Sequence, residues 1–239
     1  MVEHEPRLLP FVGYILTDCR DRDALRETFD GDMRALDFVP DGVSRDDLDT
    51  CKSALRDIYK YMRNSSKAKL LLGATWEFLV VAALTRLAAN RPTHIHHDCR
   101  VYVGGTLLQV DNVWRNGHGH PYVSSLDVAE WCDADEHAGH CKLCSCKVSP
   151  TSFQSVDLAY VLVVWVEVGH RGTPWYLTAW ANEKERIALR RKLHAICDAE
   201  SRAAARIVTA ETLAAEIEAT PPCPPAGLAE PSGPPALPQ

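Results

Sequence analysis

The chain has 239 residues, 46% of them hydrophobic and 24% charged, with a formal net charge of −6. That length can bury one sizeable core, or a core with a small helical extension, and the composition is that of an ordinary soluble globular protein. The acidic balance argues against nucleic-acid binding by bulk charge alone, which needs lysine and arginine to neutralise phosphates, but it leaves room for a local basic cleft.

Residues 21–90 read as helical. "DRDALRETFDGDMRAL" has helical apolar spacing, and Gly42 sits in the turn signal "VPDGVS". Ser44 is a good N-cap for "RDDLDTCKSALRDIYKYMRN", with Asp46 and Asp47 favourable in the first turn. "SKAKLLLGATWEFLVVAALTRLAAN" predicts a long helix, apolar on nearly every side and therefore expected in the centre of the fold.

From residue 93 the pattern turns to strands. "THIHHDCRVYVGGTLLQVDNVWR" suggests two strands joined at Gly104-Gly105; "PYVSSLDVAEW" and "CKLCSCKVS" follow as a third and fourth. "LAYVLVVWVEV" predicts a strand buried on both faces, paired with "PWYLTAWA". Glu167 interrupts that apolar run, which is too short to cross a bilayer, and no membrane association is expected. Asn182 and Glu185 form a capping box opening the helix "EKERIALRRKLHAICDAESRAAARI", and a shorter helix runs through Glu218. The division expected is a helical N-terminal extension over 1–65, an α/β core over 66–218 with a Cys/His insertion at 132–146, and a disordered proline-rich tail over 219–239.

The N-terminus lacks the basic start and long apolar core of a secretion signal, so a cytoplasmic location with reduced thiols is expected for the nine cysteines. Four of them, Cys132, Cys141, Cys144 and Cys146, fall within fifteen residues. With His137 and His140 they could supply a structural, tetrahedral Zn2+ site; the ordinary alternative is buried strand cysteines beside a histidine-bearing loop. "HIHH" (94–97) and "GHGH" (117–120) read as exposed histidines at strand ends, although His94 and His96 share a face.

Three pieces occur in order: Glu77 on the apolar helix, Asp127 in "SSLDVAEW", and Ser145 and Lys147 in "SCKVS". A carboxylate among apolar neighbours is costly to bury unless a cation or metal meets it. Ser145 and Lys147, two apart, point to one strand face and Cys144 and Cys146 to the other. Each residue also has an ordinary reading: a paired helix carboxylate, a turn-capping aspartate, a solvated lysine.

Over residues 66–205 this order resembles the PD-(D/E)xK nuclease superfamily, the restriction-endonuclease-like fold with a mixed central sheet flanked by helices. The resemblance implies that Asp127 and Glu77 hold a catalytic Mg2+, and that Lys147 orients or deprotonates the attacking water. It also implies a serine departure: Ser145 stands where the family expects an acid, as in one "SCK" branch of restriction enzymes. A second carboxylate must then come from elsewhere, and Asp157 is preferred over Glu130 and Glu167. Asp111, in "LLQVDNVW", competes with Asp127 for the aspartate role.

The function expected is a Mg2+-dependent endodeoxyribonuclease acting on double-stranded DNA as a homodimer, like a type II restriction enzyme. Lys142, His118, His120, Arg115 and Arg171 are candidate DNA contacts. The competing expectation is a zinc-stabilised DNA-binding or interaction protein with a degenerate nuclease fold.

Overall fold

The structure is a computed structural model describing residues 5–19, 23–24, 27, 42–61, 65–89, 91–112, 120–122, 125–133 and 135–220. The proline-rich tail and most of the helix expected over 21–36 lie outside these residues.

Helices α1 (Leu8–Asp18), α2 (Arg45–Lys60) and α3 (Ser65–Ala88) come first. Ser44 caps α2 as expected, its hydroxyl accepting from the Asp47 N–H at 3.1 Å. Helix α3 departs from its expected burial. Leu72, Trp76, Val80, Ala83, Leu84 and Leu87 form a buried stripe, while Leu70 and Phe78 are 75% and 62% exposed. By length and composition alone, Leu70–Ala88 is long and apolar enough to cross a membrane, unlike the shorter run singled out in the sequence. In this fold its buried stripe packs on a sheet instead.

That sheet has five strands in the order β1 (His94–Cys99), β6 (Leu126–Trp131), β7 (Lys142–Lys147), β8 (Thr173–Thr178), β9 (Arg206–Thr209). The pairs β1–β6 and β6–β7 are antiparallel, and β7–β8 and β8–β9 are parallel. Two minor ladders lie between β1 and β6 in sequence: β2 (Tyr102–Val103) with β3 (Thr106–Leu107), and β4 (Val110–Asn112) with β5 (His120–Tyr122). The Gly104-Gly105 turn therefore joins β2 to β3, both glycines at positive φ, and β1 instead pairs with β6.

"LAYVLVVWVEV" is not a strand; it lies in helix α4 (Ser155–Glu167). Asp157 in its first turn accepts from the Gln154 N–H at 2.8 Å, which starts the helix. Because β7 and β8 run parallel, the chain must cross over between them, and an apolar crossover helix does so. Helix α5 (Glu183–Ile196) opens with the expected Asn182–Glu185 capping box. The single long helix expected here ends at Cys197. Asp198 accepts from the Ser201 N–H at 2.8 Å and starts α6 (Ala199–Ala204), and the β-branched run Ile207-Val208-Thr209 belongs to β9 before α7 (Ala210–Ala219).

The result is an α/β/α arrangement with a mixed central sheet. One face carries α1, α2, α3 and α7 over Val128, Cys144, Cys146, Trp175, Leu177 and Val208. The other carries α4 and α5 over Leu126, Ala129, Leu143 and Tyr176.

Candidate active site

Asp127 stands near the start of β6, and the β6–β7 register continues to place it opposite Ser145. Its Oδ2 accepts from the Cys146 N–H at 2.5 Å, the Ser145 hydroxyl at 3.1 Å and the Lys147 ammonium at 3.2 Å. Period-2 alternation makes this possible: Ser145 and Lys147 meet Asp127, while Cys144 and Cys146 enter the core on the α3 side.

Glu77 comes from α3, with its Oε2 3.0 Å from His97 Nε2, and His97 stacks on Phe78 with ring centroids 5.1 Å apart. Burial raises the Glu77 carboxyl above its ordinary value, and the nearby negative charge of Asp127 pushes it further up; His97 and Lys147 oppose both. Lys147 has the opposite balance. Burial alone would pull its ammonium down, but Asp127 and Asp157 outweigh that and hold it above the ordinary lysine value. It therefore keeps its proton at neutral pH, which supports an orienting, charge-neutralising role rather than that of a base.

None of the three carboxylates considered for the missing acid joins Asp127. Asp157 is engaged in starting α4, and its charge reaches Lys147. Glu130 is wholly buried and paired with Arg91 and Lys142. Glu167 is exposed at the far end of α4, about 18 Å along the helix from Ser155. The side chain of Asp111 lies outside the described residues.

Among the described residues no three or more His, Cys, Asp and Glu side chains form a group that could hold a metal. The zinc set does not assemble. The Cys141 sulfur accepts from the Cys132 N–H at 3.3 Å, His140 is exposed, and Cys144 and Cys146 are buried thiols whose pKa burial drives upward, away from the thiolate that zinc requires. Glu77 and Asp127 are a better match for magnesium. They are two hard oxygen donors close enough for one to raise the other's pKa, and Mg2+ characteristically binds one or two carboxylates and fills its shell with water and phosphate.

His97 is the residue that sequence reasoning passed over, grouping it with exposed histidines. The alternation that put His94 and His96 together also sends His97 to the other face, toward the helix carrying Glu77. Two candidate DNA contacts are committed elsewhere. Lys142 pairs with the buried Glu130, and Arg171 donates to the Cys132 and Asp133 carbonyls at 3.0 and 3.1 Å and stacks over Trp131. Arg115, His118 and the His120 side chain lie outside the described residues.

Glu77 gives a direct test of these electrostatics. A carboxyl whose pKa is raised on folding contributes its stability below the ordinary value of 4.5, and loses it as pH climbs through the folded value. Glu77→Gln should therefore melt higher than the parent at pH 7 in metal-free buffer, with the gap closing toward pH 4. Added Mg2+ should raise the parent melting temperature and leave the variant unmoved. A parent indifferent to Mg2+ would remove the two-carboxylate metal site. In comparisons with known proteins, no family model, no curated protein and no solved structure matches this chain.

Proposed function

We propose that this chain is a metal-dependent endodeoxyribonuclease of the type II restriction kind, built on a PD-(D/E)xK-like core and hydrolysing phosphodiester bonds of double-stranded DNA. One observation carries the reading: Asp127, Ser145 and Lys147 share one hydrogen-bonded cluster, with Glu77 close enough for its carboxyl to feel the Asp127 charge. The order helix glutamate, strand aspartate, strand lysine is the one the resemblance implies, and α3, β6 and β7 supply it. The crossover through α4 then returns the chain parallel to β7.

Glu77 and Asp127 would hold a divalent ion, which when bound supplies a Lewis acid and lowers the pKa of water. The protonated Lys147 offsets charge on the phosphate oxygens, and Ser145 with the Cys146 N–H fixes the orientation of the Asp127 carboxylate. Hydrolysis joins the water oxygen to phosphorus and breaks one P–O ester bond, the leaving oxygen ending protonated. Cutting both strands of a palindrome calls for two such sites, hence a homodimer.

Plasmid cleavage with Mg2+ tests the reading. The parent should nick and linearise DNA, and Lys147→Ala should slow it by about 10²–10³-fold while leaving the fold intact. Ser145, standing where an acid is expected with no carboxylate beyond Asp127 and Glu77 near it among the described residues, favours the competing reading of a degenerate nuclease fold that binds without cutting. A parent inert across varied sequences and divalent metals, yet retarding duplex DNA, would establish that reading instead.

A further inference from the structure

A second polar site lies away from Asp127 and Lys147. Helices α5 and α6 and the start of β9 at Arg206 border a cavity of about 260 Å³ walled by Arg190, His194 and Arg202, with Leu193, Ala205 and Ile207 as apolar lining. Among the described residues no carboxylate lines it, which is unusual in a chain of net charge −6. Arg206 pairs in register with Trp175, whereas Lys147 pairs with Thr178. Strand geometry therefore separates Arg206 from Lys147 by about 10 Å along the sheet and about 10 Å across it.

One of the guanidinium groups is held in place. Arg202 donates through Nε and Nη2 to the Cys197 carbonyl at 3.2 and 3.0 Å. Arg206 only borders the cavity: its guanidinium shares the sheet face of Trp175, lying over that ring 5.1 Å from its centroid and donating to Glu216 at 2.7 Å, away from α5 and α6. The C-terminus of α5 contributes about half a negative charge. Among the described residues, Arg190 and Arg202 have no carboxylate partner. A positive surplus therefore remains in a concave site whose donors are partly pre-ordered.

We propose that this cavity binds the phosphate group of a small phosphorylated molecule. Planar guanidinium groups match phosphate oxygens two at a time, and partial anchoring reduces the entropy lost on binding. The volume is just below the range of about 300–1,000 Å³ typical of small-ligand pockets, so it suits a phosphate with a sugar-sized group attached. This site does not depend on the nuclease reading and survives its failure.

Orthophosphate titrated at constant ionic strength into the 15N-labelled full chain tests the site. Saturable amide shifts confined to residues 190–207, with a Kd of about 1 mM or tighter, are expected. Arg190→Gln and the double variant Arg190→Gln/Arg202→Gln should each weaken binding, the double by about tenfold or more. The single variant, whose exposed side chain braces nothing, guards against misfolding of the double. A nucleoside 5′-monophosphate binding more tightly than orthophosphate identifies a nucleotide as the source, and equal affinity identifies phosphate alone; both support the site. Shifts matched by chloride, centred on Lys147, or unchanged in a folded double variant overturn it.

Discussion

Asp127→Ala should abolish Mg2+-dependent cleavage, by about a thousandfold or more, equivalent to about 4 kcal/mol of barrier, and should also destabilise the fold. The two losses have different origins, and a second substitution separates them. Asp127 orients three donors through a single oxygen. Alanine leaves the Lys147 ammonium, 25% exposed, without its nearest counter-charge and strips the Ser145 hydroxyl and the Cys146 N–H of their acceptor. Removing one partner of such a partly buried charged cluster costs about 2–3 kcal/mol. An asparagine side chain at this position would restore a neutral acceptor for Ser145 and Cys146 without restoring charge. Asp127→Asn should accordingly recover much of the stability in a denaturant melt and none of the cleavage. If Asp127→Asn cuts DNA at the parent rate, the aspartate is a structural clamp for the β6–β7 hairpin and its assignment as a metal ligand fails.

The parts of the site legible in the sequence were those set by local periodicity. A strand forces Ser145 and Lys147 to one side and Cys144 and Cys146 to the other, so "CKLCSCKVS" announced its geometry without further help. Ser44 and Asn182 announced their helices because a cap bonds only three residues away. What failed was long-range or two-sided. A fully apolar run such as "LAYVLVVWVEV" carries no period that distinguishes a buried strand from a buried helix, and the parallel β7–β8 pairing that demands a crossover lies in tertiary structure. The exposed Leu70 and Phe78 on α3 were hidden for the same reason: residue type alone does not say which stripe of an apolar helix meets the sheet. His97 was missed because its partner, Glu77, is twenty residues away on another element. The convergence of Cys132 with Cys141 but not with Cys144 or Cys146 likewise depends on where β6 ends and β7 begins.

Glu130→Ala should cost about 3–5 kcal/mol, the largest stability loss expected of any single change near the candidate site. Glu130 is wholly buried between the Arg91 guanidinium at 2.6 Å and the Lys142 ammonium, with the Thr93 hydroxyl at 3.2 Å. The glutamate and lysine are cross-strand partners on β6 and β7. Lys142, 11% exposed, keeps the His140 carbonyl and the face of Trp175 among the described residues once the carboxylate is gone. In a domain of this size that loss lowers the melting temperature by about 6–20 °C. The cost arises from stranding buried cations more than from losing attraction, so removing both partners should be far milder. Glu130→Leu combined with Lys142→Met should recover most of the loss, and a double-mutant cycle should show strong coupling between the two positions. A Glu130→Ala variant melting within a degree of the parent would mean that water reaches Lys142 and Arg91. The network pins β6 to β7 three residues from Asp127, so such an opened strand pair would no longer hold Asp127 against Ser145 and Lys147.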